Sequence, residues 1–184
     1  MSAGDTRSIS TRRHVITGIA AGAAAMGVYR AHAGEAQEIA RMQEAIHQET
    51  IFKASRERVY DVLTVAAEFH KVVLLSAAVH SGMVKIARPG RISREAGGSF
   101  SIFGDFITGR QIELVPNTRI VQAWRPKDWL PGVYSIAHFE LVQDGSATRL
   151  VFDHTGFPAG NAEHLAQGWH ENYWQPMEKV LAAA

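Results

Sequence analysis

"GGSFSIFGDFITGRQIELVPNTRIVQAW" (residues 97–124) decides the fold, because it packs strand after strand with no room for a helix. "GGSFSIFG" (97–104), "FITGRQIELVP" (106–116) and "TRIVQAWRP" (118–126) are rich in β-branched and aromatic residues. Each is parted from the next by one or two turn residues such as Pro116-Asn117. A parallel pair needs a crossover of about a dozen residues, so these neighbours run antiparallel. Two further runs, "YSIAHFELVQD" (134–144) and "ATRLVFDHTGF" (147–157), meet across the tight turn "DGS" (144–146). The expected result is a β-meander.

Upstream, "AIHQETIFKAS" (45–55) alternates on a period near two and reads as a first strand. Ser55 then caps a helix over "RERVYDVLTVAAEF", with Glu57 in its first turn and Val59, Val62, Leu63 and Ala66 on one face. "HKVVLLSAAVHSGMVKIA" (70–87) reads as helix followed by irregular chain, stopped at Pro89-Gly90. Downstream, "GNAEHLAQGWHENYWQPMEKVLAAA" carries a helical stripe of Leu165, Trp169, Tyr173, Met177, Val180 and Leu181. Asn161 is positioned to cap it, and Pro176 should kink it and free the Asn172 carbonyl. The order predicts an α+β class protein, with a curved antiparallel sheet wrapped on a long C-terminal helix.

The chain has 184 residues, 46% hydrophobic and 20% charged, which suits one globular domain with a real core. Its formal net charge is +1, but residues 1–33 hold four arginines against Asp5 alone. Without them 15 basic and 17 acidic side chains remain, so the domain has no electrostatic claim on nucleic acid or an anionic membrane. The chain lacks cysteine, which removes disulfides, thiolate metal sites and thiol nucleophiles.

"STRRHVITGIAAGAAAMGVYRAHAGEA" (10–36) sets Arg12 and Arg13 before an apolar run over Val15–Tyr29. At 1.5 Å per residue that run spans roughly 22 Å, short of the ~30 Å hydrocarbon core. "AHA" (31–33) offers small residues for cleavage after Ala33. Residues 1–33 resemble a twin-arginine export signal, which implies recognition of Arg12 and Arg13 by the export machinery and a periplasmic or secreted domain folded first in the cytoplasm. Residues 34–45 then read as a polar lead-in to a domain over 46–182.

The run from "GGSFSIFG" through "ELVP", "RIVQAW", "FELVQDGSATRLVFDHTGFP" and "GWHENYW" resembles the SRPBCC (START-like, helix-grip) superfamily. Within it, the chain is similar to the branch named for the activator of the heat-shock-protein ATPase. The resemblance covers about residues 46–182. It implies a cavity between sheet and C-terminal helix, used by members for hydrophobic ligands, for cyclisation chemistry or as a packed core serving protein contacts.

Period two puts Leu150, Phe152 and His154 on one face of the last strand, towards Trp169 and Tyr173, and Asp153 on the other. With Phe100, Trp124 and Phe139, these aromatic residues are the expected ligand-binding wall: Phe100, Trp124, Phe139, Phe152, His154, Trp169 and Tyr173. His154 is the one candidate for acid–base catalysis; its bland role is a hydrogen bond to Tyr173 or a backbone carbonyl, tying sheet to helix. His138 should face solvent, and Trp129 in "DWLPG" should help cover a mouth. His164 and His170 fall about 120° out of register on a helix, no H-x-x-x-H spacing exists, and neither metal nor cofactor is expected. Three functions stand open. The first is binding of a small hydrophobic or aromatic ligand in a cavity of several hundred Å³; the others are a co-chaperone-like partner module and a cyclase-like enzyme using His154.

Overall fold

In a computed structural model of the chain, residues 44–183 are described. The export signal and most of the polar lead-in expected from sequence lie outside them. Seven strands form one sheet: β1 (Glu44–Phe52), β2 (Arg91–Ile92), β3 (Ser99–Ile102), β4 (Ile107–Val115), β5 (Arg119–Pro126), β6 (Ser135–Asp144) and β7 (Ala147–Phe157). Their spatial order is β1-β7-β6-β5-β4-β3-β2. Every neighbouring pair is antiparallel; short connections require this of the meander from β2 to β7, while β1 pairs with β7 across nearly the whole domain. The α+β helix-grip class follows.

Alternation supplies the two faces. Ile120, Gln122 and Trp124 of β5 are buried while Arg119, Val121 and Ala123 are only half-buried, and β7 repeats the pattern through Leu150, Phe152 and His154. The buried face is covered by α1 (Arg56–Thr64), α2 (Ala66–Leu74) and the C-terminal helical segment. Ser55 caps α1 by accepting from the Arg58 N–H at 3.2 Å. The helix expected from 56 onward breaks at Val65, which is extended at φ −95°, ψ 117°. The Thr64 hydroxyl bonds back to the Tyr60 carbonyl at 2.8 Å, and the β-branched pair Thr64-Val65 ends the helix there. A short α3 (Ala77–His80) precedes the irregular stretch.

Gly109 lies opposite Phe100 on one side and Trp124 on the other. A Cβ there would strike the Ala123 carbonyl oxygen and the Phe100 ring. Gly109→Ala should therefore cost about 1–3 kcal/mol through overpacking. An unchanged urea midpoint would show that the sheet gives way more easily than its packing suggests.

The C-terminal helix departs from a simple kink. It runs as α4 (Ala162–Trp169), one π-helical turn (His170–Trp174) and α5 (Gln175–Ala182). Pro176 has no N–H, and the Gln175 N–H reaches the His170 carbonyl five residues back. The widened turn makes room for the proline ring, which in regular helix would clash with the Asn172 carbonyl. The Asn172 side chain fastens the turn by accepting from the Ala78 N–H at 2.8 Å and donating to the Gly168 carbonyl at 2.9 Å. Asn161, the expected cap of α4, makes no capping bond with its side chain. It donates to the Pro158 and Ala159 carbonyls, and the Glu44 carboxylate of β1 accepts from the Ala162 N–H at 2.9 Å in its place.

Candidate functional site

The sequence-predicted wall residues converge where α4 and the π turn cross the buried face of β5, β6 and β7. Trp169 is 2% exposed, with ring centroids 4.4 Å from Phe152, 4.2 Å from Tyr173, 5.4 Å from Trp124 and 5.8 Å from Phe139. His154 is fully buried, 5.1 Å from Trp124 and 5.5 Å from Trp169. Phe100 sits apart, on the far side of a small void whose lining also includes Phe139 and Tyr173. The two indoles Trp169 and Trp174 stack at 5.6 Å and 16°, because the π turn between them brings residues five apart onto one side.

Two indole N–H groups hang the helix on the sheet. Trp169 Nε1 donates to His154 Nδ1 at 2.9 Å, and Trp174 Nε1 donates to Gln48 Oε1 at 2.8 Å. Gln48 Nε2 in turn donates to the Ala166 carbonyl at 2.9 Å. Since the Nδ1 lone pair of His154 is taken, neutral imidazole carries its proton on Nε2. That N–H donates to Ser135 Oγ at 2.6 Å, and the Ser135 hydroxyl donates to the Trp124 carbonyl at 3.1 Å. Burial pulls the His154 pKa down to about 3, so the ring is neutral at ordinary pH.

This chain of bonds corrects one expectation. His154 bonds neither to Tyr173 nor to a carbonyl; its partners are Trp169 and Ser135. Both ring nitrogens are occupied by these bonds. Ser135 and Gln48 were not singled out in the sequence. Ser135 could have been found by parity, since period two places it on the face of Ala137 and Phe139.

The expected cavity of several hundred Å³ reaching His154 and Trp169 is absent among the described residues. Aromatic rings fill that space. What remains is a void of about 10 Å³ bounded by Leu63, Phe69, Ile120, Gln122 and Tyr173 among others, room for about one water. A second void of about 10 Å³ lies against Phe103, Gly104 and His70 and shares Phe69, Ile92 and Ile102 with the first. Two polar groups in this interior, the Tyr173 hydroxyl and the Trp124 indole N–H, face each other without a hydrogen bond of ordinary geometry, on residues 6% and 4% exposed. Burial pushes the Tyr173 hydroxyl well above the usual phenol range, only partly offset by the neighbouring Trp124 indole. Trp129 is half-buried and packs edge-on against Trp124 at 5.8 Å and 74°.

The outer sheet face is polar. Asp153 turns away from His154, as parity requires, and binds His47 Nδ1 at 2.7 Å; His138 Nδ1 lies 3.9 Å from the same carboxylate. Asp153 and Glu49 raise the His47 pKa. His138 is half-buried on this face rather than freely solvated, with Glu140 3.6 Å from its Nε2.

Comparison with known proteins places this architecture. The family described as Activator of Hsp90 ATPase homolog 1-like protein matches residues 53–182. The activator of 90 kDa heat shock protein ATPase homolog 1 of Homo sapiens is 27% identical over 130 residues, covering 71% of this chain and 35% of its own length. Homolog 2 of Mus musculus is 25% identical over 137 residues, covering 74% of this chain and 38% of its own length. The chain thus spans little more than a third of the curated relatives it matches. An HSP90 activator from Plasmodium falciparum superposes with a TM-score of 0.65 at 21% identity, over 75% of this chain and 96% of that one. CalU16 from Micromonospora echinospora superposes with a TM-score of 0.60 at 14% identity, over 76% of each chain.

Proposed function

The chain belongs to the Activator of Hsp90 ATPase homolog 1-like family, and from that premise we propose that it is a non-catalytic module that binds a protein partner through its surface. The filled interior carries this reading. A void of about 10 Å³ admits no organic ligand, and the buried histidine has no lone pair to offer a substrate. The names of those relatives describe activation of a chaperone ATPase, which is work done on another protein.

The proposal includes export by the twin-arginine route. The partner then belongs to the compartment outside the cytoplasm, and a cytosolic chaperone is not it. Replacing Arg12 and Arg13 by lysine should leave the protein in the cytoplasm; fractionation that still finds it outside overturns the export proposal.

A second reading, binding of a small apolar molecule between sheet and helix, is favoured by the buried Tyr173 hydroxyl, which borders the inner void and has no hydrogen-bond partner of ordinary geometry. Native mass spectrometry of the protein purified from its own cells separates the two. A stoichiometric protein complex that reassembles from its two purified components supports the partner reading. A retained small-molecule mass overturns it in favour of the second. A bare chain with no reconstitutable partner overturns it outright.

A further inference from the structure

The sheet ends in two unlike edges. At one, β2 offers only Arg91 and Ile92. At the other, β1 offers nine residues, Glu44–Phe52, and pairs with β7 alone among the described residues. From Ala45 to Phe52 that pairing has no register shift, so the edge is regular as well as long. Edge strands are ordinarily protected by brevity, by lysine or proline, or by a bulge. β1 reads "EAIHQETIF", without lysine, arginine or proline, and its one irregularity lies at its first residue. The hydrogen bonds from α4 to β1 are made by the Glu44 and Gln48 side chains. Beyond the ladder with β7, the backbone bonds of the described residues engage one β1 group, the Phe52 carbonyl, which accepts from the Ala54 N–H at 2.8 Å.

The outer face of this strand is its own complement. Ala45, His47, Glu49 and Ile51 are all exposed, Ile51 at 57%. A second copy laid antiparallel along the edge, with a two-fold axis through Gln48, engages the whole strand on each side. His47 then stands opposite Glu49 of the second copy, and Ala45 opposite Ile51 of the second copy. Two-fold symmetry makes each contact twice. Opposite charges and apolar partners are the pairings that stabilise facing strands. Both charged groups have an atom to spare. His47 Nδ1 is bonded to Asp153 at 2.7 Å and Glu49 Oε2 lies 3.2 Å from Arg149, but His47 Nε2 and Glu49 Oε1 stand 3.6 Å apart, longer than a hydrogen bond. Moving the axis by one residue sets His47 or Glu49 against itself, and moving it further shortens the pairing. An axis between residues turns the buried face of one copy towards the exposed face of the other.

We propose that the β1 edge is a self-pairing interface, at which two copies of this chain join their sheets into one through an antiparallel contact centred on Gln48. A second copy is the occupant that the edge fits, because reversing β1 about Gln48 returns its complement. Backbone hydrogen bonds supply the attraction common to any strand added to a sheet edge, and the two His47–Glu49 pairs fix the register. The inference goes beyond the partner reading above and is independent of it. This dimer forms from the purified chain alone, and its failure leaves that reading where it stands.

Sedimentation equilibrium of the full chain should show a monomer–dimer equilibrium. Ile51→Lys is an exposed change that leaves the core intact and sets a charge against Ala45 of the second copy. It should raise the dimer dissociation constant at least about tenfold, since the contact is lost twice. The chain lacks cysteine, so single introduced thiols report the register. His47→Cys and Glu49→Cys chains are made separately, mixed and oxidised. Opposed residues lie about 4.5–5.5 Å apart between Cα atoms, within disulfide reach, while a residue and its own copy lie on a diagonal of about 7–8 Å, beyond it. The mixture keeps one His47–Glu49 pair and should cross-link several-fold more than either chain alone. A chain that stays monomeric across the concentration series overturns the interface. So does a dimer unmoved by Ile51→Lys, or cross-linking as strong in the separate chains as in the mixture.

Discussion

Trp169→Ala is expected to destabilise the domain by about 5 kcal/mol, the cost of a large buried aromatic cavity plus one unpaired buried acceptor. For a chain of this length that lowers Tm by about 10–20 °C. Two losses combine. The ring touches Phe139, Phe152, Trp124, Tyr173 and Trp174, so its removal opens the centre of the core. Its N–H also leaves His154 Nδ1 without a donor. Trp169→Phe separates the two, since it keeps most of the packing and loses the hydrogen bond. It should cost about 1–3 kcal/mol. Urea denaturation of both variants checks this, and an alanine variant within 1 kcal/mol of wild type, on the scale of an ordinary surface change, would dethrone Trp169 as the sheet–helix anchor.

Acidification is expected to weaken the fold through His154 before the carboxylates titrate. In the unfolded chain an imidazole takes its proton below about pH 6.5. In the folded chain burial holds the His154 pKa at about 3. Between these values the unfolded state binds more protons, so stability is complete above pH 6.5 and declines as pH falls towards 3. The slope from one such group is about 1.4 kcal/mol per pH unit, or about 2 kcal/mol between pH 6.5 and 5. His154→Gln keeps an acceptor for Trp169 and a donor for Ser135 but does not titrate, so its stability should be flat over that window. A wild type equally flat would mean that His154 protonates in place. His47 works in the opposite sense: its raised pKa contributes stability at low pH that is lost as pH rises through that value, but its exposure to water keeps the effect small. Glu44, Glu68 and Glu113 have lowered pKa values and add their own loss only in the carboxylate range.

The meander could be read from the sequence because it depends on neighbours. Connections of a few residues leave antiparallel pairing as the one outcome, and alternation assigns each side chain its face; His154 inward and Asp153 outward follow from that alone. What sequence could not supply is the identity of distant partners. Asn161 has the chemistry of a cap, yet Glu44, 118 residues from the Ala162 N–H that it accepts, does the capping. Pro176 announces a disturbance in the helix, but whether a kink or a π turn absorbs it depends on Trp169 and Trp174 both needing acceptors on the sheet. The interior is where structure and sequence differ most. Aromatic residues that can line a hollow can equally fill one, and composition does not distinguish the two. Nothing in "SIFGDF" shows that the left-handed turn takes in Phe103 and Asp105 as well as Gly104.

The pairing of β1 with β7 has a consequence for synthesis. Phe52 waits for Thr148 as its partner, so about ninety-five residues must leave the ribosome before the first strand finds the last. At about 5–20 residues per second that interval is about 5–20 s. Throughout it, β1 presents two bare edges and an Ile51 side chain that is still exposed in the finished fold. The nascent chain is therefore most vulnerable to sticking at its own beginning, and a slowed ribosome lengthens the danger. Overproduction at low temperature should help less for this topology than for one whose first strand pairs with its immediate successor.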